Sequence, residues 1–351
     1  MTITIGKRIV GSGKPILIVA ELSANHLHKY ELAEKTLHAA KEAGADAIKL
    51  QTYTADTITI DCKNKYFLIK GGTIWDGKTF YELYKEAYTP WEWHAPLQKL
   101  AKELGLIFFS TPFDKTAVDY LEKLKVPMYK IGSPEIVDIP LIEYAAKKGK
   151  PMLLSTGIAT EKEIREAVDA CRKVSNKDVV VLKCTSAYPT PLEEVNLRTM
   201  PDMAERFGVL VGISDHSQGI SVPIAAAALG ASIIEKHFIL DRKFGGPDSE
   251  FSLEPAEFKE MVKRVRETEK LLGKATYELT EKVKVGRRGA RSLFVVEDMK
   301  KGELFTEKNI RSIRPCFGLA PKEIKTVLGK KAKKDIERGT PLSWSLIAKA
   351  K

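Results

Sequence analysis

Residues 209–216 read VLVGISDH and residues 232–239 read SIIEKHFI. Both are short apolar runs closing on polar residues, with His216 or His237 near the end. A near-continuous apolar run of this length suits a strand buried on both faces, as in a parallel sheet. The pattern repeats upstream at 16–22, 47–53, 107–112, 128–133, 152–157 and 179–186, making eight strand candidates. Helical periodicity, with Lys and Glu on the outer face, is clearest at 30–42, 161–173 and 255–272, and Gly44 or Gly273 follows as a stop. Eight strands separated by helices predict a (β/α)8 TIM barrel.

The barrel pattern occupies 1–272. Residues 273–289 are polar and aperiodic, as a linker would be. From 290 to 351 short segments are broken by glycines and prolines, including Gly302, Pro315, Gly318 and Gly339, and predict a small, β-rich second domain. One connection, 61–89, is unusually long and should lie over the barrel mouth. Within it Phe80, Leu83, Tyr84 and Ala87 fall at helical spacing and are expected to pack, whereas Trp75 beside Asp76 is the lid candidate.

Composition narrows the function classes. An apolar fraction of 44% beside 29% charged residues predicts a globular protein with a large core rather than disorder. The net charge of +11 spreads 57 basic residues among 46 acidic ones with no basic block, so no nucleic-acid partner is expected. Cys62, Cys171, Cys184 and Cys316 lack the spacing of a zinc site or disulfide framework. With no signal segment and no run long enough to span a bilayer, a cytoplasmic protein without a membrane partner is expected.

In such a barrel the chemistry sits where the strands end. The first candidate strand ends in Glu21, followed by Ser23, Ala24, Asn25 and His26; the second carries Lys49 and Gln51; the fourth carries Lys130 and runs into Ser133 and Glu135. Later strands end in Ser155-Thr156-Gly157, Lys183-Cys184-Thr185-Ser186, Ser214-Asp215-His216 and Glu235-Lys236-His237. A lone buried lysine or histidine is as readily a satisfied core contact. Period-two geometry, however, puts Lys49 with Gln51 on one face, and Glu235 with His237 on another. Lys49 and Lys130 among serine hydroxyls suit an anion bearing carboxylate and phosphate groups. His216 and His237 either share a divalent ion, with water and substrate completing its shell, or act as hydrogen-bonded histidines without metal.

The stretches AELSANH at 20–26, GADAIKLQTY at 44–53, STPFD at 110, YKIGSPE at 129, CTSAYPTP at 184, GISDH at 212, EKHF at 235 and GPDSEFS at 246 occur in this order. The chain resembles the sialic acid synthase family over practically its whole length. Its C-terminal segment, with Arg291-Ser292-Leu293, Lys301-Gly302-Glu303 and Arg314-Pro315, resembles the family's antifreeze-like (SAF) domain. Within the family, GGTIWDGKTFYELY from Gly71 and TPWEWH from Thr89 resemble the branch that makes pseudaminic acid from phosphoenolpyruvate and 2,4-diacetamido-2,4,6-trideoxy-L-altrose. Lys183 and Ser186 stand where N-acetylneuraminate synthases commonly place histidine and asparagine, which weakens a neuraminate or legionaminate assignment.

The resemblance implies roles residue by residue. His216 and His237 are implied as ligands of Mn2+ or Mg2+, and Lys49, Thr111, Lys130, Ser133, Ser155 and Ser214 as surrounding phosphoenolpyruvate, with Ser186 replacing a polar family contact. Gln51, Glu135, Tyr188 and Asp248 are implied as meeting the acetamido sugar. Arg314 is implied as entering a partner subunit's site in a domain-swapped homodimer. Glu21 is expected to orient or deprotonate water and Glu135 to guide protons. Two other readings remain at this point: a metal-dependent hydrolase on the same barrel, and a C-terminal ice- or carbohydrate-binding unit on a scaffold.

Overall fold

In the computed structural model, which describes residues 1–348, eight parallel strands close into a barrel. An antiparallel hairpin precedes it, β1 (Thr2–Ile5) with β2 (Arg8–Gly11). The barrel strands follow as β3 (Leu17–Glu21), β4 (Ala47–Thr52), β5 (Ile107–Pro112), β6 (Tyr129–Ile131), β7 (Met152–Ser155), β8 (Val179–Lys183), β9 (Leu210–Asp215) and β10 (Ile233–His237), with β10 closing on β3. The helices at Tyr30–Glu42, Glu161–Lys173 and Pro255–Leu272 have the expected bounds. Thr160 and Glu163 cap the second of these reciprocally, satisfying backbone donors at its first turn.

Alternation along each strand separates two cores. Ile18, Ala20, Ile48, Leu50 and Phe108 face outward and pack with helix residues such as Leu37 and Phe258. Burying one such leucine contributes about 1.5–3 kcal/mol. The inward positions form a second cluster around Leu17, Val19, Ala47, Phe109, Leu153, Val180 and Ile233. Ile3, Ile5 and Val10 of the hairpin join that cluster, so the first two strands stopper the N-terminal end of the barrel. Gly212 lies where strands crowd most closely: a Cβ there would stand 2.3 Å from the Ile233 carbonyl oxygen.

Lys274–Lys351 form a separate compact unit, after Met1–Gly273. In it β11 (Ser292–Val295) pairs antiparallel with β12 (Ile310–Ile313), around a core of Leu293, Val295, Met299, Phe305, Ile310 and Leu342. The segment expected to be an aperiodic linker carries a short helix, Glu281–Gly286, which Thr280 caps by accepting from the Val283 N–H. Six residues are too few for a periodicity to show in the sequence. No helix among the described residues is long and apolar enough to cross a membrane.

Candidate active site

Parallel register assembles the site. Inward positions on each strand begin apolar and turn polar toward the C-terminal end: Leu17, Val19 and Glu21 on β3; Ala47, Lys49 and Gln51 on β4; Ile233, Glu235 and His237 on β10. Pairing then sets Glu21 opposite both Lys49 and His237, Gln51 opposite Thr111, and Glu235 opposite Ser214. Polar side chains thus meet in one ring toward the C-terminal end of the barrel while its lower part stays apolar.

A buried charge network forms the floor. Lys49 Nζ lies 2.8 Å from Glu21 Oε2 and 3.6 Å from Glu235 Oε1, and Lys130 Nζ lies 2.7 Å from that same Glu235 oxygen. Lys49 also donates to Thr111 Oγ1 at 3.2 Å, and Ser214 donates to Glu235 at 2.9 Å. Burial alone would raise the Glu235 carboxyl, but Lys130 and Lys49 hold it well below the usual carboxylate range. Glu21 ends at about 6 because burial raises it and Lys49 only partly opposes that. Ser155 Oγ is buried with no hydrogen-bond partner among the described residues, while the Gly157 N–H donates to Ser133 Oγ at 3.0 Å.

The second group faces the same cavity from the other side. The His216 and His237 ring centroids are 5.2 Å apart, and Phe251 packs edgewise against both. His237 Nδ1 has no hydrogen-bond partner among the described residues, and Asp248 Oδ2 stands 3.9 Å from it. Burial, with His216 and the lysines, keeps His237 neutral, so its ring has one lone-pair nitrogen to offer. Burial also opposes charge on His216, yet Cys184, whose Sγ is 3.7 Å from its Nδ1, raises it. Two adjacent imidazoles, one with a free buried nitrogen, fit a divalent ion completed by substrate and water; no cluster of three ligating side chains occurs among the described residues.

Asp248 is tied in from its loop. It accepts from the Ser23 hydroxyl and, at 3.3 Å, from the Ala24 N–H, and Gln51 donates to Ser23 at 2.9 Å. Ser23 holds a left-handed φ of 46°, a strained conformation for a side-chain-bearing residue that this network fixes. Asn25 donates to Phe238 O and Ser252 Oγ, both at 2.9 Å, pinning the same loop. His26 stays outside the cavity, bonded to Thr89 at 3.0 Å and packed on Trp93.

Gln51, Thr111, Lys130, Ser133, Glu135, Ser155, Tyr188, Ser214, His216, His237 and Asp248 line one cavity of about 440 Å³ together with Lys49. That volume is ample for two small substrates. Glu21 lies beneath the lining, fully buried against Lys49. Ser186 Oγ is buried beside Gly157, without a hydrogen-bond partner among the described residues. Arg314 belongs to the second unit, where it is exposed immediately after β12. Trp75 lines the cavity and donates from its indole to Pro247 O at 3.0 Å. Phe80 and Tyr84 pack on each other and Leu83 is buried, as their helical spacing predicts, and these three with Ala87 also line this cavity. Glu235 had no role in the sequence reading beyond sharing a face with His237, although that face was the signal.

Comparisons with known proteins point to one family. The NeuB family matches residues 36–277 and the SAF domain residues 290–348. The chain is 50% identical to a pseudaminic acid synthase of Helicobacter pylori over 94% of its length and 97% of the relative's. A pseudaminic acid synthase of Campylobacter jejuni is 48% identical, over 95% of this chain and 96% of that one. Among solved structures, an N-acetylneuraminic acid synthetase from Leptospira borgpetersenii superposes with a TM-score of 0.73 at 32% identity, covering 82% of this chain and 95% of the other.

Proposed function

This chain belongs to the NeuB family and carries a SAF domain, and from that premise we propose that it condenses phosphoenolpyruvate with 2,4-diacetamido-2,4,6-trideoxy-L-altrose and water, giving pseudaminic acid and inorganic phosphate. The observation that carries the reading is the pairing of a doubly cationic, hydroxyl-rich floor with two histidines across one cavity. The hydrolase alternative finds no support, because the matched relatives are named as synthases and paired lysines have no part in it.

Lys49 and Lys130 would hold the phosphate and carboxylate of phosphoenolpyruvate, with Thr111, Ser133, Ser155 and Ser214 donating or accepting around them. Gln51, Glu135, Tyr188 and Asp248 would orient the open-chain sugar with its aldehyde toward the floor. Phosphoenolpyruvate C3 attacks the aldehyde carbon, the new C–C bond leaves positive charge at C2, and the aldehyde oxygen takes a proton. Water adds at C2 and loses a proton; loss of the hydroxyl proton and C–O cleavage then release phosphate and leave the ketone. Glu21, at about 6, is poised to accept the water's proton near neutral pH. His216 and His237 would hold Mn2+ or Mg2+, which supplies Lewis-acid polarisation of a carbonyl when bound. The reading includes a domain-swapped homodimer in which Arg314 completes a neighbour's site, in the cytoplasm.

Phosphate release from phosphoenolpyruvate with Mn2+, measured with the diacetamido altrose, N-acetylmannosamine or no sugar and with product masses checked, tests this. Release with the first sugar alone is expected; preference for the second moves the assignment to neuraminate synthesis, and no condensation overturns it.

Glu135 adds a pH prediction. Burial raises its carboxyl to about 7, so it keeps a donatable proton below that pH and is ionised above it. The kcat/KM for the sugar is therefore expected to fall as pH rises through about 7, and Glu135→Gln is expected to abolish that limb. An unchanged limb in the variant would remove Glu135 from the proton path.

A further inference from the structure

The long connection between β4 and β5 gives the cavity a wall that the condensation itself does not use. Beyond Lys49 and Gln51, the next inward position outward along the chain is Tyr53, and beyond Thr111 it is Phe113. One step toward the mouth, polar side chains give way to rings. Tyr53 meets Phe113 at 4.9 Å between centroids and Tyr84 at 5.6 Å, and Tyr84 stacks on Phe80 at 6.1 Å with planes 17° apart.

The helix Phe80–Ala87 presents Phe80, Leu83 and Tyr84 along one face, at spacings of three and four residues. Reciprocal bonds between Thr79 and Glu82 fix its start. Burial raises the Tyr84 phenol to about 12, so the wall stays uncharged there. Among the described residues, the connection contributes no carboxylate to the cavity lining.

We propose that the apolar part of this wall, formed by Phe80, Leu83 and Phe113, selects a 6-deoxy sugar by receiving its C6 methyl group. The proposal rests on the reading that the site condenses an acetamido sugar. The aldehyde must lie at the floor, beside phosphoenolpyruvate and the histidines, so the opposite end of the carbon chain is directed toward the mouth, where the rings stand. A methyl group there gains burial. A hydroxyl set against Phe80, Leu83 and Phe113 gives up water and meets no polar side-chain group there, which disfavours the 6-hydroxy sugar.

The test compares two sugars differing by one oxygen, 2,4-diacetamido-2,4,6-trideoxy-L-altrose and 2,4-diacetamido-2,4-dideoxy-L-altrose, by kcat/KM for phosphate release with Mn2+ present. An apolar pocket rejects an added hydroxyl by about 10²-fold, and that preference for the deoxy sugar is expected of the wild-type protein. Leu83→Asn places an amide in the wall, and Phe80→Ser places a hydroxyl there, at a residue already 36% exposed, where the fold tolerates it. Each is expected to lower the ratio tenfold or more, mainly by raising KM for the deoxy sugar. A wild-type ratio near one overturns the wall's role, as does an unchanged ratio in Phe80→Ser. Wild-type turnover with neither sugar nor N-acetylmannosamine overturns the underlying reading instead, and preference for N-acetylmannosamine over both overturns the assigned substrate together with the wall.

Discussion

His237→Ala is expected to lower condensation by about 10³-fold while the barrel stays folded. The rate effect follows from losing carbonyl polarisation, worth several kcal/mol of transition-state stabilisation. The fold should survive because the ring's Nδ1 makes no hydrogen bond among the described residues and its loss removes mainly the ring contacts with Phe251 and His216. His216→Ala should fall comparably in rate, and it also gives up the contacts to Cys184 at 3.7 Å and Thr185 O at 3.3 Å. Calorimetric titration with Mn2+ provides a readout independent of turnover: both variants should lose the high-affinity isotherm. A well-folded variant of either kind that retains full metal-dependent activity and Mn2+ binding would remove the pair as ligands.

Those two histidines were legible in the sequence because parallel strands of a barrel display their last inward residues at one end. The strand bounds at 107–112 came through intact, since β5 is apolar until Ser110. Others were expected too long at the mouth: 152–157 ends at Ser155 and 179–186 at Lys183. Beyond those residues the chain leaves the ladder to place Gly157 and Ser186 at the site, and apolar patterning carries no sign of that departure. The stoppering hairpin was missed for a related reason. Four-residue strands with only Ile3, Ile5 and Val10 buried offer too little alternation to distinguish from a frayed terminus.

Less of the cavity's upper half was legible. Helical spacing predicts that Phe80, Leu83 and Tyr84 share a face, but it cannot say whether that face meets a core or a ligand space. The aromatic ladder joins residues 53, 80, 84 and 113, and only the fold brings them together. The buried pair between Lys236 and Asp215, at 2.6 Å, is another case. It binds β9 to β10 just behind His216 and His237, on positions whose charges read in sequence as further catalytic candidates. Outward orientation, not residue type, separates this clamp from the floor.

The floor itself yields the second large prediction, at the residue whose role sequence reasoning did not assign. Glu235→Gln is nearly isosteric, so it changes charge without opening a cavity. In the native network Lys49 keeps a second anion in Glu21, but Lys130 has no other carboxylate within 4.0 Å among the described residues. Burial already pushes the Lys130 ammonium down, and removing Glu235 leaves that cation, 3% exposed, without compensation. Breaking a buried pair on one side costs about 3–5 kcal/mol. Thermal unfolding of the ligand-free variant is therefore expected on the order of 10 °C lower than wild type. Phosphoenolpyruvate should raise the variant's Tm more than the wild type's, because its negative charge replaces the missing carboxylate rather than competing with it for the same two lysines. Equal shifts in both proteins would mean that the lysines do not hold the anion, whereas an unchanged Tm without ligand would mean that Lys130 is not charged in the free enzyme.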